Sequence, residues 1–398
     1  MNILEMNKFY YPRRGAERHM LDVIALLRGH GHDARVFAMR HPDNIPTPFD
    51  GYFPGFVGYN ASDSTVWQRV KGIGRLFWSF EARKNLARLL DDFQPDIVHI
   101  HNIYHQLSTS ILPIIRRRGI PVVMTVHDYH LVSPDKDRYY ESVGQVYWKF
   151  LFVKKYGFGK RLLLVLKMYW EQHFRFYEKA VDVYIAPSGY CKRILTQGGI
   201  PEQKIRVVPH FVSDTAPEND TGMADGMEEH YAIYFGALSD EKSVGKLVEL
   251  FDRLHYTLIL AGNIEEGFVL PKSTWVRYVG YKSPEELRRL IRKARFVVSG
   301  SALPETFGLI ILESFACGKP FFGLDTGAFS EIVVNGRNGY IAKDWEELEL
   351  RIREYIGDAM SLSDGKTIRR QVLERFGEER YYAEIRKIFE AVRVKKID

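Results

Sequence analysis

Two glutamates separated by seven residues stand in the most informative run of the sequence, Ser301-Ala-Leu-Pro-Glu-Thr-Phe-Gly-Leu-Ile-Ile-Leu-Glu313. We predict that a strand ends near Ser299 and that a helix opens at about Phe307, which places Glu313 roughly two turns into that helix. The free backbone amides of a helix start form an anion site suited to a diphosphate. Glu313 can accept hydrogen bonds from ribose hydroxyls, and Glu305 from hydroxyls of a sugar beyond the phosphates. The residues that this run predicts to bind the diphosphate and the ribose are Thr306, Phe307, Gly308, Leu309 and Glu313.

Histidines cluster at two points that follow short apolar runs. His99 and His101 alternate along a strand-like segment, so both point to one face. A buried or capping role fits that pattern as well as a catalytic one. His127, Asp128 and His130 follow the next apolar run. Because no helical spacing and no third ligand accompany them, we predict no metal site.

The elements that must position these residues alternate regularly along the first half of the chain. Apolar segments that read as strands are separated by segments with helical spacing of apolar residues. This order implies a parallel sheet covered by helices on both faces. The predicted strands lie at 2–6, 34–38, 97–101, 121–126, 183–186 and 205–208, and the predicted helices include 107–118 and 189–197.

The same order restarts after a Gly-, Asp- and Glu-rich stretch at 214–229, which we interpret as a linker. We therefore predict an α/β protein of two tandem doubly wound, Rossmann-like domains, with ligands at the carboxyl ends of the strands facing an interdomain cleft. The predicted domains are 1–190 and 191–375, and the second contains the predicted diphosphate and ribose site. We expect a C-terminal helix at 376–398 to return to the first domain.

Composition excludes several classes of protein. The chain has 398 residues, 45% of them hydrophobic and 27% charged, which is typical of a globular protein of two or three domains. Its two cysteines, Cys191 and Cys317, exclude a disulfide scaffold. We see no secretory signal and no apolar run long enough to span a bilayer, and we expect a cytoplasmic protein. The net charge of +6 is compatible with nucleic acid, an anionic membrane or a phosphorylated ligand.

One segment, 138–179, does not follow the α/β pattern. It carries nine Lys and Arg residues against three Glu, with Tyr, Trp, Phe and Leu interleaved among them. Such a basic aromatic segment suits a helix pair on an anionic membrane surface, because aromatic rings enter the headgroup boundary while Lys and Arg meet anionic lipid. The alternative is a helical excursion packed on the protein with solvated lysines; nucleic-acid binding is a weaker alternative, and we expect no nucleic-acid partner.

The run from Glu305 to Glu313 resembles the E-x7-E signature of family 4 glycosyltransferases, which are retaining nucleotide-sugar enzymes of the GT-B fold. The resemblance covers most of the chain. Further motifs in the family's order are Gly15-Ala-Glu-Arg-His, Asp96-Ile-Val-His-Ile-His-Asn, Thr125-Val-His-Asp-Tyr-His, Ile185-Ala-Pro-Ser188, Gly327-Ala-Phe-Ser-Glu331 and Asn335-Gly-Arg-Asn-Gly339.

The resemblance implies roles for individual positions. Gly15 would let the backbone approach the donor phosphates and the acceptor, and His127 would lie beside the transferring sugar. The resemblance implies a catalytic pair, His127 and Glu305, and further donor-binding residues Gly15, Arg14, Gly236 and Lys242. It places His101, Asn102, Asp128 and His130 on the acceptor side.

This sequence departs from the family in the loop that binds the pyrophosphate. In the family this loop has the pattern G-R-L-x-x-x-K-G, whose arginine and lysine bind the phosphates. The corresponding loop reads Gly236-Ala-Leu-Ser-Asp-Glu-Lys-Ser, so Lys242 matches while Ala237 replaces the arginine and Ser243 the second glycine. Two charge-assisted bonds to phosphate therefore become one. Arg14, which stands where a loop glycine is usual, could supply the lost charge.

The function implied is a metal-independent, retaining hexosyl transfer from a nucleoside-diphosphate sugar to a hydroxyl of a cell-envelope, lipid-linked or polysaccharide acceptor, with no cofactor beyond the donor. The inner face of the cell membrane is an alternative location to the open cytoplasm. Two rival functions remain. A nucleotide-sugar epimerase would use the same donor site without an acceptor, and a non-enzymatic membrane-associated scaffold would carry a degenerate donor site.

Overall fold

The protein, described here as a computed structural model, forms two compact units, each built on one parallel sheet. The structure describes residues 1–56, 72, 74–214 and 230–394. The described part of the first unit comprises 1–56, 72, 74–187, 191–208 and 382–394, and that of the second comprises 188–190, 209–214 and 230–381.

The first sheet has six strands in the order β2-β1-β3-β4-β5-β6, all parallel. Most of their residues are buried, as expected for strands covered on both faces. The chain leaves β1 toward one edge through β2 and returns to the other side at β3, which makes the β1/β3 boundary the topological switch point. The strands are β1 (Asn2–Met6), β2 (Asp33–Phe37), β3 (Ile97–Ile100), β4 (Val122–Thr125), β5 (Val183–Ala186) and β6 (Ile205–Val207).

The helices of the first unit include one that returns from the end of the chain. That last helix, α13, packs its Phe389 ring 5.5 Å from the ring of His99 and pairs Arg393 with Asp96 at 3.1 Å. In chain order the helices are α1 (Gly15–Gly29), α2 (Phe80–Phe93), α3 (Leu112–Arg117), α4 (Phe158–Phe174), α5 (Phe176–Ala180), α6 (Gly189–Gln197, whose first two residues fall in the second unit) and, last, α13 (Glu378–Val394, whose first four residues fall in the second unit).

The second sheet has the order β12-β11-β10-β7-β8-β9, again all parallel. Its switch point lies between β7 and β10. The strands are β7 (Tyr231–Phe235), β8 (Thr257–Ala261), β9 (Val276–Tyr278), β10 (Phe296–Ser299), β11 (Phe321–Leu324) and β12 (Gly339–Ala342). The helices are α7 (Val244–Leu254), α8 (Pro284–Lys293), α9 (Leu309–Ala316), α10 (Phe329–Ile332), α11 (Trp345–Ile356) and α12 (Gly365–Phe376).

The two predicted doubly wound domains are therefore present, with a different boundary. We predicted that the second domain begins at residue 191, yet 191–208 belongs to the first unit. The reason is β6, which pairs with β5 and completes the first sheet. Residues 382–394 belong to the first unit, where we predicted a returning helix from 376. Apart from Asp214, the predicted linker at 214–229 lies outside the described residues.

The predicted helix over 107–118 is shorter in the structure. A single 3-10 turn, Thr109–Ile111, precedes α3, which begins only at Leu112. Ser108 has a positive φ of 59°, and its hydroxyl accepts a hydrogen bond from the amide of Ser110. Serine side chains that bond nearby backbone compete in this way with helix formation.

The basic aromatic segment forms a 3-10 stretch, Tyr147–Phe152, followed by α4 and α5. One face of α4 is anchored: Lys167 is 1% exposed and donates to Nε2 of His130 at 2.8 Å and to Glu171 at 2.5 Å. Within the described residues, no helix is both long and apolar enough to cross a bilayer.

Candidate active site

The loops that leave β7 and β10 meet at the switch point of the second sheet. Lys242 from the first loop forms an ion pair with Oε1 of Glu305 from the second. The hydroxyl of Ser301 donates to the same carboxylate oxygen at 3.1 Å. Both charged side chains are about a quarter exposed, at 25% and 27%. A cation and a carboxylate predicted to act on one donor are thus neighbours at the sheet edge where α/β folds bind ligands.

The backbone of Glu305 is held by the Gly327-Ala-Phe-Ser-Glu331 motif. The amide of Ala328 donates to the carbonyl of Glu305 at 3.0 Å. Gly327 has a φ of +67°, and a Cβ on it would lie 2.1 Å from that carbonyl oxygen. Only glycine permits this close approach. The motif therefore fixes the position of Glu305.

Helix α9 begins two residues later than predicted, at Leu309 instead of Phe307. The cause is Gly308, whose φ of +119° lies in the left-handed region and cannot continue a helix backward. Glu313 consequently lies about one turn into the helix, where we predicted two. The first amides of α9 still lack intrahelical partners, so the predicted anion site moves to the turn at Gly308–Ile310.

The carbonyl of Ala237 accepts a hydrogen bond from Tyr234 at 2.8 Å, and Gly236 has a φ of +137°. Ser243 has a φ of +52°, so it occupies a left-handed position that favours glycine. The family pattern has a glycine at the position of Ser243, and the positive φ gives the physical reason for that glycine.

In the first unit, the loops after β1 and β3 are tied together by two asparagines. Asn7 accepts from the amide of Asn102 at 3.0 Å, and the amide of Lys8 donates to the carbonyl of Asn102 at 2.8 Å. Asn102 itself is 4% exposed.

Burial lowers the pKa of Lys8, against the raising effect of Glu17 and Asp128. The two carboxylates therefore both favour the charged form of Lys8 at this edge of the sheet.

Beneath these loops lies a buried network of one carboxylate and three imidazoles. Glu5 on β1 contacts Nδ1 of His99 at 2.9–3.0 Å and Nε2 of His101 at 2.9 Å. Nε2 of His99 contacts the hydroxyl of Thr125 at 2.8 Å. Nδ1 of His101 contacts Nε2 of His127 at 2.8 Å. Glu5, His99 and His101 are fully buried, whereas His127 is half-buried.

The protonation of this network follows from its contacts. Burial raises the pKa of Glu5, but the charge of His99 and hydrogen bonds from His101 and His99 outweigh it and bring the pKa to about 2. Burial and the neighbouring His99 lower the pKa of His101 to about 4, despite its bond to Glu5. At neutral pH the network therefore holds an ionised Glu5 and a neutral His101.

Among the described residues, Glu5, His99 and His101 are close enough to hold a metal ion, with ligand atoms within 4.8 Å of one another. Those same atoms are engaged with each other through hydrogen bonds. We assign no metal to them, and the absence of a metal site stays a prediction.

The other predicted acceptor-side residues differ in their surroundings. His101 contacts Glu5 and His127 from a fully buried position, so an acceptor would meet it only through His127. His130 is 1% exposed and bonds Lys167 of α4. Burial raises the pKa of Asp128, which accepts from the amide of His130 at 3.0 Å. Arg14 and Gly15 are exposed at the start of α1. Their roles stay predictions.

Sequence reasoning missed Glu5, Glu17 and His19. Glu17 is 2% exposed, and one of its carboxylate oxygens has no hydrogen-bond partner among the described residues. The ring of His19 lies 5.5 Å from that of His127. A signal existed for Glu5, because it is a charged residue inside the apolar run Asn2–Met6, and a buried carboxylate requires partners.

Comparison with known proteins identifies the family and the fold of the chain. The model of Glycosyltransferase Family 4 matches residues 13–215, and that of Glycosyl transferases group 1 matches residues 223–371. An uncharacterized 42.6 kDa protein in the cps region of Klebsiella pneumoniae is 22% identical over 88% of this chain and 92% of its own length. The O-antigen chain mannosyltransferase B of Escherichia coli is 32% identical, over 28% of this chain and 32% of its own.

Solved structures share the fold. HepE of Anabaena, solved with UDP, is 17% identical and superposes with a TM-score of 0.66 over 98% of this chain and 100% of its own. The sucrose-phosphate synthase of Thermosynechococcus elongatus has a TM-score of 0.64 at 17% identity, over 99% and 97% of the two chains. The family models, the two parallel six-stranded sheets and these likenesses agree: the chain belongs to glycosyltransferase family 4 and is a glycosyltransferase of the GT-B fold.

Proposed function

We propose that the protein is a retaining hexosyltransferase that moves a sugar from a nucleoside-diphosphate donor to a saccharide hydroxyl, without a metal ion. The observation that carries the proposal is the meeting of Lys242 and Glu305 at the switch point of the second sheet, beside the start of α9. A cation and helix-start amides stabilise the departing diphosphate as negative charge develops, and the carboxylate orients the sugar.

The ion pair between Lys242 and Glu305 gives the donor two partners at once. A diphosphate carries more negative charge than one carboxylate, so it competes for the ammonium of Lys242. Glu305 is then available to accept from sugar hydroxyls. We expect donor binding to exchange the ion pair for these two sets of contacts.

Ala237 leaves the proposed phosphate site with one cation fewer than the family pattern. Replacing Ala237 with arginine restores a bidentate phosphate donor, and we expect tighter donor binding. Arg14→Ala tests whether Arg14 contributes a charge to the donor site. Unchanged donor affinity in Arg14→Ala would remove Arg14 from the site.

The acceptor we propose is a cell-envelope, lipid-linked or polysaccharide saccharide. Support comes from relatives, among them an O-antigen chain mannosyltransferase of Escherichia coli and a lipopolysaccharide 1,2-N-acetylglucosaminetransferase of Salmonella typhimurium. HepE was also solved with UDP-glucose, which makes uridine diphosphate sugars the first donors to test.

We also propose that the protein works from the cytoplasm as a peripheral protein on an anionic membrane surface. Phe158, Leu162, Leu166 and Tyr169 recur every three or four residues along α4, so they share one face. They are 61%, 38%, 51% and 37% exposed. Exposed lysines at 149, 154, 160 and 179 lie in the same segment. Apolar side chains beside lysines match a bilayer with anionic headgroups.

Vesicle flotation at low salt tests this location. We expect the protein to float with vesicles containing anionic lipid, and Leu162→Glu/Leu166→Glu to stay in solution. The matched control is Val269→Glu, which places a charge on an equally apolar residue, 84% exposed, in the second unit. Equal flotation of all three proteins would exclude this face of α4 as the membrane contact. A wild type that does not float would leave a soluble acceptor as the better proposal.

Donor binding is the primary test of the proposed function. Thermal unfolding should be measured against UDP-, GDP-, ADP- and dTDP-sugars, with Glu313→Ala and, as a control, the exposed Glu285→Ala of α8. A ligand at about 100 times its dissociation constant stabilises by about 2.7 kcal/mol. We expect one nucleotide class to shift the wild type and Glu285→Ala but not Glu313→Ala.

Product analysis then tests the reaction. The anomeric configuration of the product, measured by NMR, distinguishes retention from inversion, and activity after chelation tests independence of metal. A product formed without any acceptor would indicate an epimerase. If no nucleotide stabilises the protein, the non-enzymatic scaffold becomes the better proposal.

A further inference from the structure

The buried network around Glu5 has two branches that end differently. One branch runs from Glu5 through His99 to the hydroxyl of Thr125 and stays in the protein interior. The other runs through His101 to His127, which is half-buried and follows β4 at the carboxyl edge of the sheet. Only the second branch reaches a residue that a ligand can contact.

We propose that Glu5 is a positioning residue that acts through His101 on His127 and fixes which ring nitrogen of His127 carries a proton. This inference rests on the proposed function and on the role that the family resemblance implies for His127, which is a contact with the transferring sugar. It adds a residue on β1 that neither the motifs nor the comparisons assign.

The assignment follows from the chemistry of the contacts. An ionised carboxylate only accepts hydrogen bonds, so Nε2 of His101 must carry the proton that faces Glu5. A neutral imidazole has one proton, and Nδ1 of His101 is therefore an acceptor. Across the 2.8 Å contact, Nε2 of His127 must donate. The lone pair of a neutral His127 then lies on Nδ1.

This proton arrangement has a consequence for substrate recognition. With the lone pair on Nδ1, neutral His127 accepts a hydrogen bond from a sugar hydroxyl. The reversed tautomer would place a proton on Nδ1 and present a donor. The ring of His19 packs 5.5 Å from that of His127. Glu5 thus decides whether Nδ1 of His127 accepts or donates the hydrogen bond to the sugar, although Glu5 itself does not contact the sugar.

Glu5→Gln is the most informative variant because it keeps the shape and removes one acceptor. A carboxamide offers one oxygen and one NH2 group. One of the two imidazoles that face it must therefore turn from donor to acceptor. Where His101 does so, its proton moves to Nδ1 and the tautomer of His127 reverses. Thr125→Val is the matched control, since it cuts the branch that does not lead to His127.

The tautomers are read directly from the imidazole nitrogens by long-range 1H–15N NMR on 15N-histidine protein, assigned with His127→Gln. In the wild type we expect the Nε2–H form for both His101 and His127. A wild-type His127 with its proton on Nδ1 would overturn the proposal without any variant. In Glu5→Gln we expect the His127 signals to change toward the reversed form, and in Thr125→Val to stay.

Kinetics provide the second readout. We expect Glu5→Gln to lower kcat about tenfold, the effect of losing one transition-state hydrogen bond, with donor KM little changed. Thr125→Val should keep kcat within about twofold. If both variants lower kcat alike, or if Glu5→Gln reverses the tautomer of His101 and changes neither kcat nor the His127 signals, the network is structural and the proposal fails. A wild type that consumes no donor refutes the proposed function instead, and the NMR result still decides the tautomer.

Discussion

The salt bridge between Lys167 and Glu171 lies within α4, one helical turn apart, on the buried face where Lys167 also contacts His130 of the first unit. Breaking this salt bridge should be costly. The two side chains are 1% and 7% exposed, with Nζ and Oε1 at 2.5 Å. Glu171→Leu leaves Lys167 without its carboxylate in a buried site. Removing one partner of a buried pair costs about 3–5 kcal/mol.

An independent bound on that cost comes from the lysine itself. The uncompensated lysine can lose its proton, and its ordinary pKa is 10.5. Neutralising it at pH 7 costs about 5 kcal/mol, at about 1.4 kcal/mol per pH unit. The cost of Glu171→Leu at pH 7 therefore lies near 3–5 kcal/mol by both routes. A large fraction of a domain's stability depends on this one carboxylate.

The pH dependence gives the sign of the effect. In Glu171→Leu the folded state holds a neutral Lys167, while the unfolded state binds its proton. Because the unfolded state binds more protons, the stability of the variant relative to wild type rises with pH, by up to about 1.4 kcal/mol per unit. The neighbouring groups His130 and Tyr147 do not titrate between pH 7 and 9. Burial lowers the pKa of His130 well below its usual value and raises the pKa of Tyr147 to about 12.

Urea unfolding at pH 7, 8 and 9, with hydrogen exchange of the α4 amides to identify the transition of the first unit, measures both quantities. Lys167→Met/Glu171→Leu should recover most of the loss, since apolar replacement of a buried pair is often nearly neutral. The control is Glu178→Leu, which breaks the exposed pair with Arg175 and should change little. A loss below about 1 kcal/mol for Glu171→Leu, with no pH slope, would refute the reasoning.

Three further predictions follow from backbone and charge. Ser243→Gly should raise the free energy of unfolding by about 0.5 kcal/mol, because it relieves the positive φ of 52°; a loss of stability in urea would contradict this. Gly327→Ala should lower kcat, because the added Cβ displaces Glu305. The control is Gly336→Ala, where φ is +75° and the surrounding space is open, so the variant should cost only backbone strain. Equal kcat in the two variants would contradict the role of Gly327 in positioning Glu305. Glu5→Gln should cost about 3 kcal/mol at pH 7. The pKa of Glu5 in the folded state is depressed to about 2, so the stability that its charge contributes is present above pH 4.5 and is lost as the pH falls through 2. The difference in free energy of unfolding between wild type and variant, measured in urea, should therefore shrink over that range. A constant difference would contradict this prediction.

Much of the fold could be predicted from local pattern. The strand segments are short apolar runs, and the helices between them show helical spacing, so alternation alone indicates two parallel sheets. The boundary between the units could not be predicted in the same way. Residues 191–208 contain a helix and a strand that fit either half, and only the pairing of β6 with β5 assigns them to the first unit.

For the candidate site, too, some features follow from local sequence and others only from the tertiary structure. The sequence by itself determined the family and predicted the residues of the nucleotide site, because the spacing of Glu305 and Glu313 and the Gly-rich loops are local features. Only the tertiary structure decided that Lys242 pairs with Glu305, that Ser243 needs a glycine-like backbone, and that Glu5 reaches His127 through His101. These contacts join residues tens of positions apart, and they depend on strand order and register, which bring β1, β3 and β4 side by side.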